Sequence, residues 1–207
     1  MIRTFTFSAA GGHPANEDAF LVQQLPGDPE AWLVCLADGQ GGRAGGAKAA
    51  RLACDTAAAA FRVSSRPWDE SLSRADAAVA ADPEAGFATL IGFDVGGDRV
   101  AGASCGDSAV LAVCGSGKLT ELTAHQFKNP PVGSGAVEGV EFGDSLKAPW
   151  ILVGMTDGVW KYAGWDKLVA LATANRGRAV IDAALAACRL RSGALPDDFT
   201  MVVWQSN

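Results

Sequence analysis

The chain opens on alternating apolar and polar residues. "IRTFTFS" (2–8) and "AFLVQQL" (19–25) predict strands with one buried face, and the unbroken apolar run "AWLVCLAD" (31–38) predicts a strand buried on both faces and ending at Asp38. From Ala44 to Phe61 an alanine-rich stretch predicts a helix whose small side chains allow close approach to a neighbour, and "WDESLSRADAAVAA" (68–81) predicts a second, closed by Asp82-Pro83. The period then returns to two in "FATLIGFDV", "RVAGASCGD" and "AVLAVC", with Gly-rich turns after the first and third, which predicts an antiparallel meander. Between Thr120 and Pro149 the pattern dissolves into Gly, Pro and polar residues, so this stretch is expected to be mostly loop. "WILVGMTDGVW" predicts a buried strand ending on Asp157. Amphipathic helices follow at 165–172 and 179–190, and "DDFTMVVWQ" predicts a last strand with acids at its beginning. Strands and helices come in blocks rather than in strict alternation, which argues for a mainly antiparallel α+β sandwich over a parallel doubly wound sheet.

Composition narrows the possibilities. With 207 residues, 49% of them hydrophobic, the chain suffices for a single domain over 1–207. Its 17 basic and 23 acidic residues give a net charge of −6, and no basic stripe is present to meet a nucleic-acid backbone or an anionic membrane. Five scattered cysteines without a Cys-x-x-Cys pair read as small buried hydrophobes in a reducing compartment. No stretch reaches the length a bilayer requires, and a cytoplasmic monomer is expected. The six tryptophans are read mainly as core, with Trp160 and Trp165 close enough to Asp157 to flank a site.

The acids change the picture most. At "NEDAF" (Glu17, Asp18), "LADGQGG" (Asp38), "CGDSAVL" (Asp107), "MTDGVW" (Asp157) and "PDDFTMVV" (Asp197, Asp198), acids stand where an apolar strand meets a turn. One Asp-Gly is an ordinary turn former, but five such places are harder to explain that way. Two bare carboxylates about 4 Å apart repel by roughly 4 kcal/mol at an effective dielectric near 20, so a convergent cluster requires cations or bound protons. With only two histidines, His13 and His125, the ligand set would be nearly all oxygen, which selects Mg²⁺ or Mn²⁺ over Zn²⁺. Five glycines between Gly39 and Gly46 would keep the space beside Asp38 open and let a backbone carbonyl turn toward a metal.

The ordered series "NEDA", "ADGQGG", "FATL", "CGDSAVL", "TDGV" and "DDFTMVV" resembles the metal-dependent serine/threonine protein phosphatases of the PPM (type-2C) family, in the compact bacterial style, from about residue 13 to the C-terminus. The resemblance implies a four-layer α-β-β-α sandwich of two mainly antiparallel sheets flanked by helices, with a site for two Mn²⁺ or Mg²⁺ ions at one end. By position, Asp38 would bridge the ions, Glu17 and the Gly39 carbonyl would hold one, and Asp157 and Asp197 the other. Asp18 would orient a water, and Asp107 with Asp157 falls where some members hold a third ion. Asp198 is assigned a supporting or surface position beside the ligand Asp197.

The sequence departs from the family at three points. His13 stands where an Arg usually grips the substrate phosphate, so His13, or Arg43 after the glycine loop, is expected to share that role. Gln40 stands where some members carry a histidine, and His125 is read as exposed. The segment of about 120–149 is short, predicting a reduced or absent flap. The resemblance implies hydrolysis of phosphoserine and phosphothreonine in proteins by direct attack of water, on targets of a bacterial Ser/Thr kinase. A pseudophosphatase serving only as a phosphoprotein- or partner-binding module is the alternative.

Overall fold

The computed structural model describes residues 1–40, 44–64, 67–115 and 117–206. Ten strands form two antiparallel five-stranded sheets. The first sheet has the order β1 (Ile2–Ala9), β10 (Phe199–Ser206), β9 (Trp150–Met155), β6 (Ala109–Cys114), β7 (Leu119–Glu121). The second has the order β2 (Asp18–Gln24), β3 (Ala31–Asp38), β4 (Leu90–Gly96), β5 (Arg99–Cys105), β8 (Val140–Ser145). Helices α1 (Gly46–Ser64) and α2 (Trp68–Ala81) pack on the outer face of the second sheet. Helices α3 (Asp157–Ala163), α4 (Trp165–Ala174) and α5 (Arg178–Cys188) cover the outer face of the first. The four-layer sandwich is therefore the observed fold.

Strand β3 shows why its sequence is apolar throughout. Val34 and Leu36 point between the sheets, while Leu33, Cys35 and Ala37 point outward onto α1. Both faces of a sheet packed between two layers are dry, so the period-two signal disappears. The alanines of α1, among them Ala49, Ala50, Ala53, Ala57 and Ala58, are completely buried against that face and bring the helix close to the sheet. Between the sheets, Phe93 and Trp204 meet edge to face with ring centroids 5.3 Å apart. All five cysteines are free and buried.

Two expectations need correction. Strands β4, β5 and β6 do not form one meander: β4 and β5 make a hairpin in the second sheet, and the chain then crosses so that β6 pairs with β9 in the first. Gly106 makes the crossing possible. Its φ is +112°, and a Cβ there would lie 2.5 Å from Thr89. The stretch 120–149 is not mostly loop either, since β8 closes the edge of the second sheet by pairing with β5.

The crossing also positions the acids. Antiparallel order places the C-terminal ends of β3, β5 and β9 and the N-terminal ends of β2, β6 and β10 at one end of the sandwich. Every acid singled out in the sequence lies at that end. Among the described residues no helix is long and apolar enough to cross a membrane.

Truncating Phe93 would open a cavity between the sheets against Trp204. Phe93→Ala is expected to lower unfolding free energy by about 3–5 kcal/mol, read as a shift in the urea midpoint.

Candidate active site

The antiparallel register sets Asp18 directly opposite Asp38. Like charges so placed destabilise a sheet, and both side chains are largely withdrawn from water. Burial first, offset in part by hydrogen bonds from Thr200 and Thr156 and reinforced by nearby Asp198 and Asp157, raises the Asp18 carboxyl to about 7. Burial, then Asp18 and Asp157, raises Asp38 to about 10. The Thr156 hydroxyl donates to Asp18 Oδ2 at 2.9 Å, whereas Asp18 Oδ1 is buried without a partner.

The surrounding backbone is held by side chains. Asp198 Oδ1 accepts from the Gly11 N–H at 2.8 Å and Oδ2 from the Glu17 N–H at 2.7 Å, which ties the loop before β2 to the start of β10. Asp198 is thus a buried clamp, and the surface alternative for it is set aside; its neighbour Asp197 faces the cavity. The Gly39 N–H donates to the Glu17 carbonyl at 3.1 Å. A Cβ on Gly39 would sit 2.4 Å from the Gly46 backbone and 2.6 Å from the Glu17 carbonyl oxygen, so the close approach admits only glycine. Thr89 accepts from the Asp38 N–H at 3.0 Å and pairs with the Ser108 hydroxyl at 2.9 Å, linking the Asp38 turn to the Asp107 turn.

Asp157 does not end a strand. Strand β9 stops at Met155, and Asp157 is the first residue of α3, where a carboxylate suits the positive end of the helix. Lys161, one turn later, donates to Asp157 Oδ2, and its Nζ lies 3.7 Å from Asp107 Oδ2. Lys128 donates to that same Asp107 oxygen at 2.6 Å. Partial burial works against the Lys161 ammonium, but Asp157, Asp107 and Asp197 outweigh it and hold its pKa above the ordinary lysine value.

These groups surround a cavity of about 390 Å³, lined among others by Glu17, Asp38, Gly39, Asp107, Asp157 and Asp197. His13, Gln40, Lys128 and Asn129 stand at its exposed rim. Asp18 lies behind Asp38, not on the lining. Arg43 lies outside the described residues. His125 is exposed and outside this cavity. Trp160 and Trp165 are half-buried and line an adjoining cavity that shares Gly106, Asp107 and Lys128 with the first.

Among the described residues no three His, Cys, Asp or Glu side chains are already drawn together as a metal-ligand set. The donor chemistry nevertheless fits hard divalent cations. The acidic donors on the lining are all oxygens, the facing Asp18 and Asp38 lack a cation to offset them, and Asp18 Oδ1 is left unpartnered. Four contributors escaped the sequence analysis: Thr156, Thr89, Lys128 and Lys161. Thr89 and Thr156 sit inside the quoted motifs, so their position beside an acid was visible, while nothing in the spacing of Lys128 or Lys161 points to Asp107.

Two antiparallel five-stranded sheets between helical layers are the sandwich fold of the PPM serine/threonine phosphatases. The sequence profile of Stage II sporulation protein E (SpoIIE) matches residues 28–207, and the chain belongs to that family. No curated protein matches it significantly. Similar solved structures include RsbX crystallised with magnesium (TM-score 0.79, 13% identity, covering 99% of this chain and 94% of RsbX). The catalytic domain of the serine/threonine protein phosphatase PstP with two manganese ions has a TM-score of 0.75 and 21% identity, covering 99% of this chain and 97% of that one. Serine/threonine phosphatase Stp1 from Staphylococcus aureus has a TM-score of 0.80 and 16% identity, covering 100% and 96%.

Since Asp18 and Asp38 keep their protons to about 7 and about 10 when folded, against 3.8 ordinarily, the native chain binds more protons than the unfolded one above about pH 4. Without divalent ions, stability should therefore fall as pH rises from 5 to 8, on the order of a few kcal/mol. Urea midpoints in EDTA measure this, and Asp38→Asn should flatten the slope. Asp198→Ala frees one buried and one part-buried N–H group and should cost about 2–4 kcal/mol in the same assay.

Proposed function

We propose that this chain is a divalent-cation-dependent phosphatase that removes phosphate from phosphoserine and phosphothreonine side chains of proteins. The observation that carries the reading is the Asp18–Asp38 pair, opposed in register with Asp38 on the lining of a carboxylate-lined cavity and Asp18 buried behind it. A scaffold that only binds has no need of two facing carboxylates that weaken its own sheet.

In this reading Glu17 and the Gly39 carbonyl would hold one ion, Asp157 and Asp197 a second, and Asp38 would serve both. Asp157 retains Oδ1 for this purpose, because Lys161 engages Oδ2. Bound Mn²⁺ or Mg²⁺ supplies an acidified water and positive charge for the phosphoryl oxygens. Asp18 Oδ1, an unpartnered acceptor behind Asp38 and off the cavity lining, would orient a water that reaches it past Asp38. The one hydroxyl or thiol side chain on the lining, Thr89, is engaged with the Asp38 N–H and with Ser108. Among the described lining residues no free hydroxyl or thiol nucleophile is thus offered, which supports direct hydrolysis, releasing inorganic phosphate and the protein hydroxyl. His13, exposed at the rim, meets the incoming phosphate with a single hydrogen bond in place of a guanidinium fork. A kinase-phosphorylated protein in the same compartment is the substrate class.

Hydrolysis of p-nitrophenyl phosphate and of a phosphothreonine peptide should require Mn²⁺ or Mg²⁺ and stop in EDTA. Asp38→Asn should lower kcat about a hundredfold or more. Comparable rates in all three conditions would exclude metal-assisted hydrolysis. His13→Ala should raise KM for the peptide by about three- to tenfold, and an unchanged KM would remove His13 from substrate binding.

A further inference from the structure

The Asp107 corner of the cavity differs from the Asp38 corner in one respect: it already contains cations. Asp107 and Asp157 have side chains only 17% and 15% exposed, and two lysines reach them from the rim. Lys161 spans Asp157 Oδ2 and, at 3.7 Å, Asp107 Oδ2, while Lys128 lies 2.6 Å from that same Asp107 oxygen. One oxygen of each acid, Oδ2, is therefore already engaged by an ammonium group.

Both lysines are held there by neighbouring contacts. The Gly106 N–H donates to the Phe127 carbonyl at 2.8 Å, which fixes the residue before Lys128 to the residue before Asp107. The Trp160 indole N–H donates to the Asp107 carbonyl at 2.8 Å, which fixes the residue before Lys161 to Asp107 itself. The Lys161 ammonium also lies 5.6 Å from the centroid of the Trp160 ring. Two separate segments, the connection after β7 and helix α3, are each bonded to this turn by the residue next to a lysine.

We propose that Lys128 and Lys161 are the built-in cations of the Asp107 corner and take the place of a further divalent ion there, confining the ions to the side of Glu17, Asp38, Asp197 and Oδ1 of Asp157. A divalent ion entering between Asp107 and Asp157 meets two ammonium groups already on their Oδ2 atoms and is repelled by them where they stand. The ammoniums bring positive charge to the same rim without a dependence on ion concentration. This inference rests on the divalent-ion reading of the cavity and specifies its occupancy.

The test is Mn²⁺ binding by equilibrium dialysis and calorimetry on the full chain, with Lys128→Gln/Lys161→Gln beside the wild type. The double variant should bind one more Mn²⁺ per chain than the wild type, and adding Asp107→Asn should remove the extra ion. Equal stoichiometry in the two proteins, or an extra ion that survives Asp107→Asn, would overturn the proposal while leaving the cavity reading intact. A wild type that binds no Mn²⁺ would overturn both. If the double variant does not fold, Lys161→Gln alone serves: an added weaker Mn²⁺ site is expected, and an unchanged isotherm counts against the proposal.

Discussion

Two carboxylates, Asp18 and Asp38, face each other across an antiparallel ladder at the end of a buried strand pair, and much of the surrounding structure holds them there. Their mutual repulsion is not relieved by distance, because the register of β2 on β3 is fixed by seven consecutive residue pairs whose slippage would turn the apolar face of β3 the wrong way. Nor is it relieved by solvent, because burial is the largest influence on both groups. What remains is protonation or cations, and that choice links the chain's stability to its ligands.

Backbone segments near this pair are held by other buried or half-buried carboxylates acting in a different capacity. Asp198 accepts two backbone N–H groups from the loop before β2. Asp76, buried on α2, likewise accepts from Gly133, Gly135 and Val137 and so secures the connection between β7 and β8. That connection carries Lys128, Asn129 and Pro131 to the cavity. Asp198 and Asp76 use their oxygens on backbone donors and hold the walls, whereas the Asp38 and Asp157 carboxylates face the cavity. Adjacent Asp197 and Asp198 both line the cavity, but Asp198 holds two backbone N–H groups of the loop before β2, whereas Asp197 Oδ1 accepts from the Asp198 N–H.

How far the sequence discloses this depends on the range of the interaction. Strands β1, β2, β3, β9 and β10 and helices α1 and α2 were legible because alternation, unbroken apolar runs and a closing Asp-Pro are local signals. The division of β5 from β6 was not, because periodicity identifies a strand without identifying its sheet, and the change of sheet depends on the conformation of Gly106. Strand β8, "VEFGDS", escaped notice because it is short, lies at an edge and includes a glycine and two acids. The acids of the site were legible as charges at strand ends. Which of them are satisfied by backbone was not, since Asp198 reaches partners more than 180 residues away. For the same reason the lysines at Asp107 left no trace in the spacing.

The electrostatic balance of the cavity also bears on the order of events. A phosphate monoester brings negative charge to a space lined by Glu17, Asp38, Asp157 and Asp197, with His13 and Lys128 as the basic side chains on the described lining. Without divalent ions, the side nearest Asp38 repels such a substrate unless its acids hold protons, so ions there serve affinity as well as chemistry. Linkage then requires the converse: bound phosphate must tighten the ions by the same factor by which the ions tighten phosphate. Under the proposed function an exposed histidine in place of a guanidinium would be tolerable, because most of the grip on the phosphoryl group would come from the ions, and the rim would need only to orient what they attract.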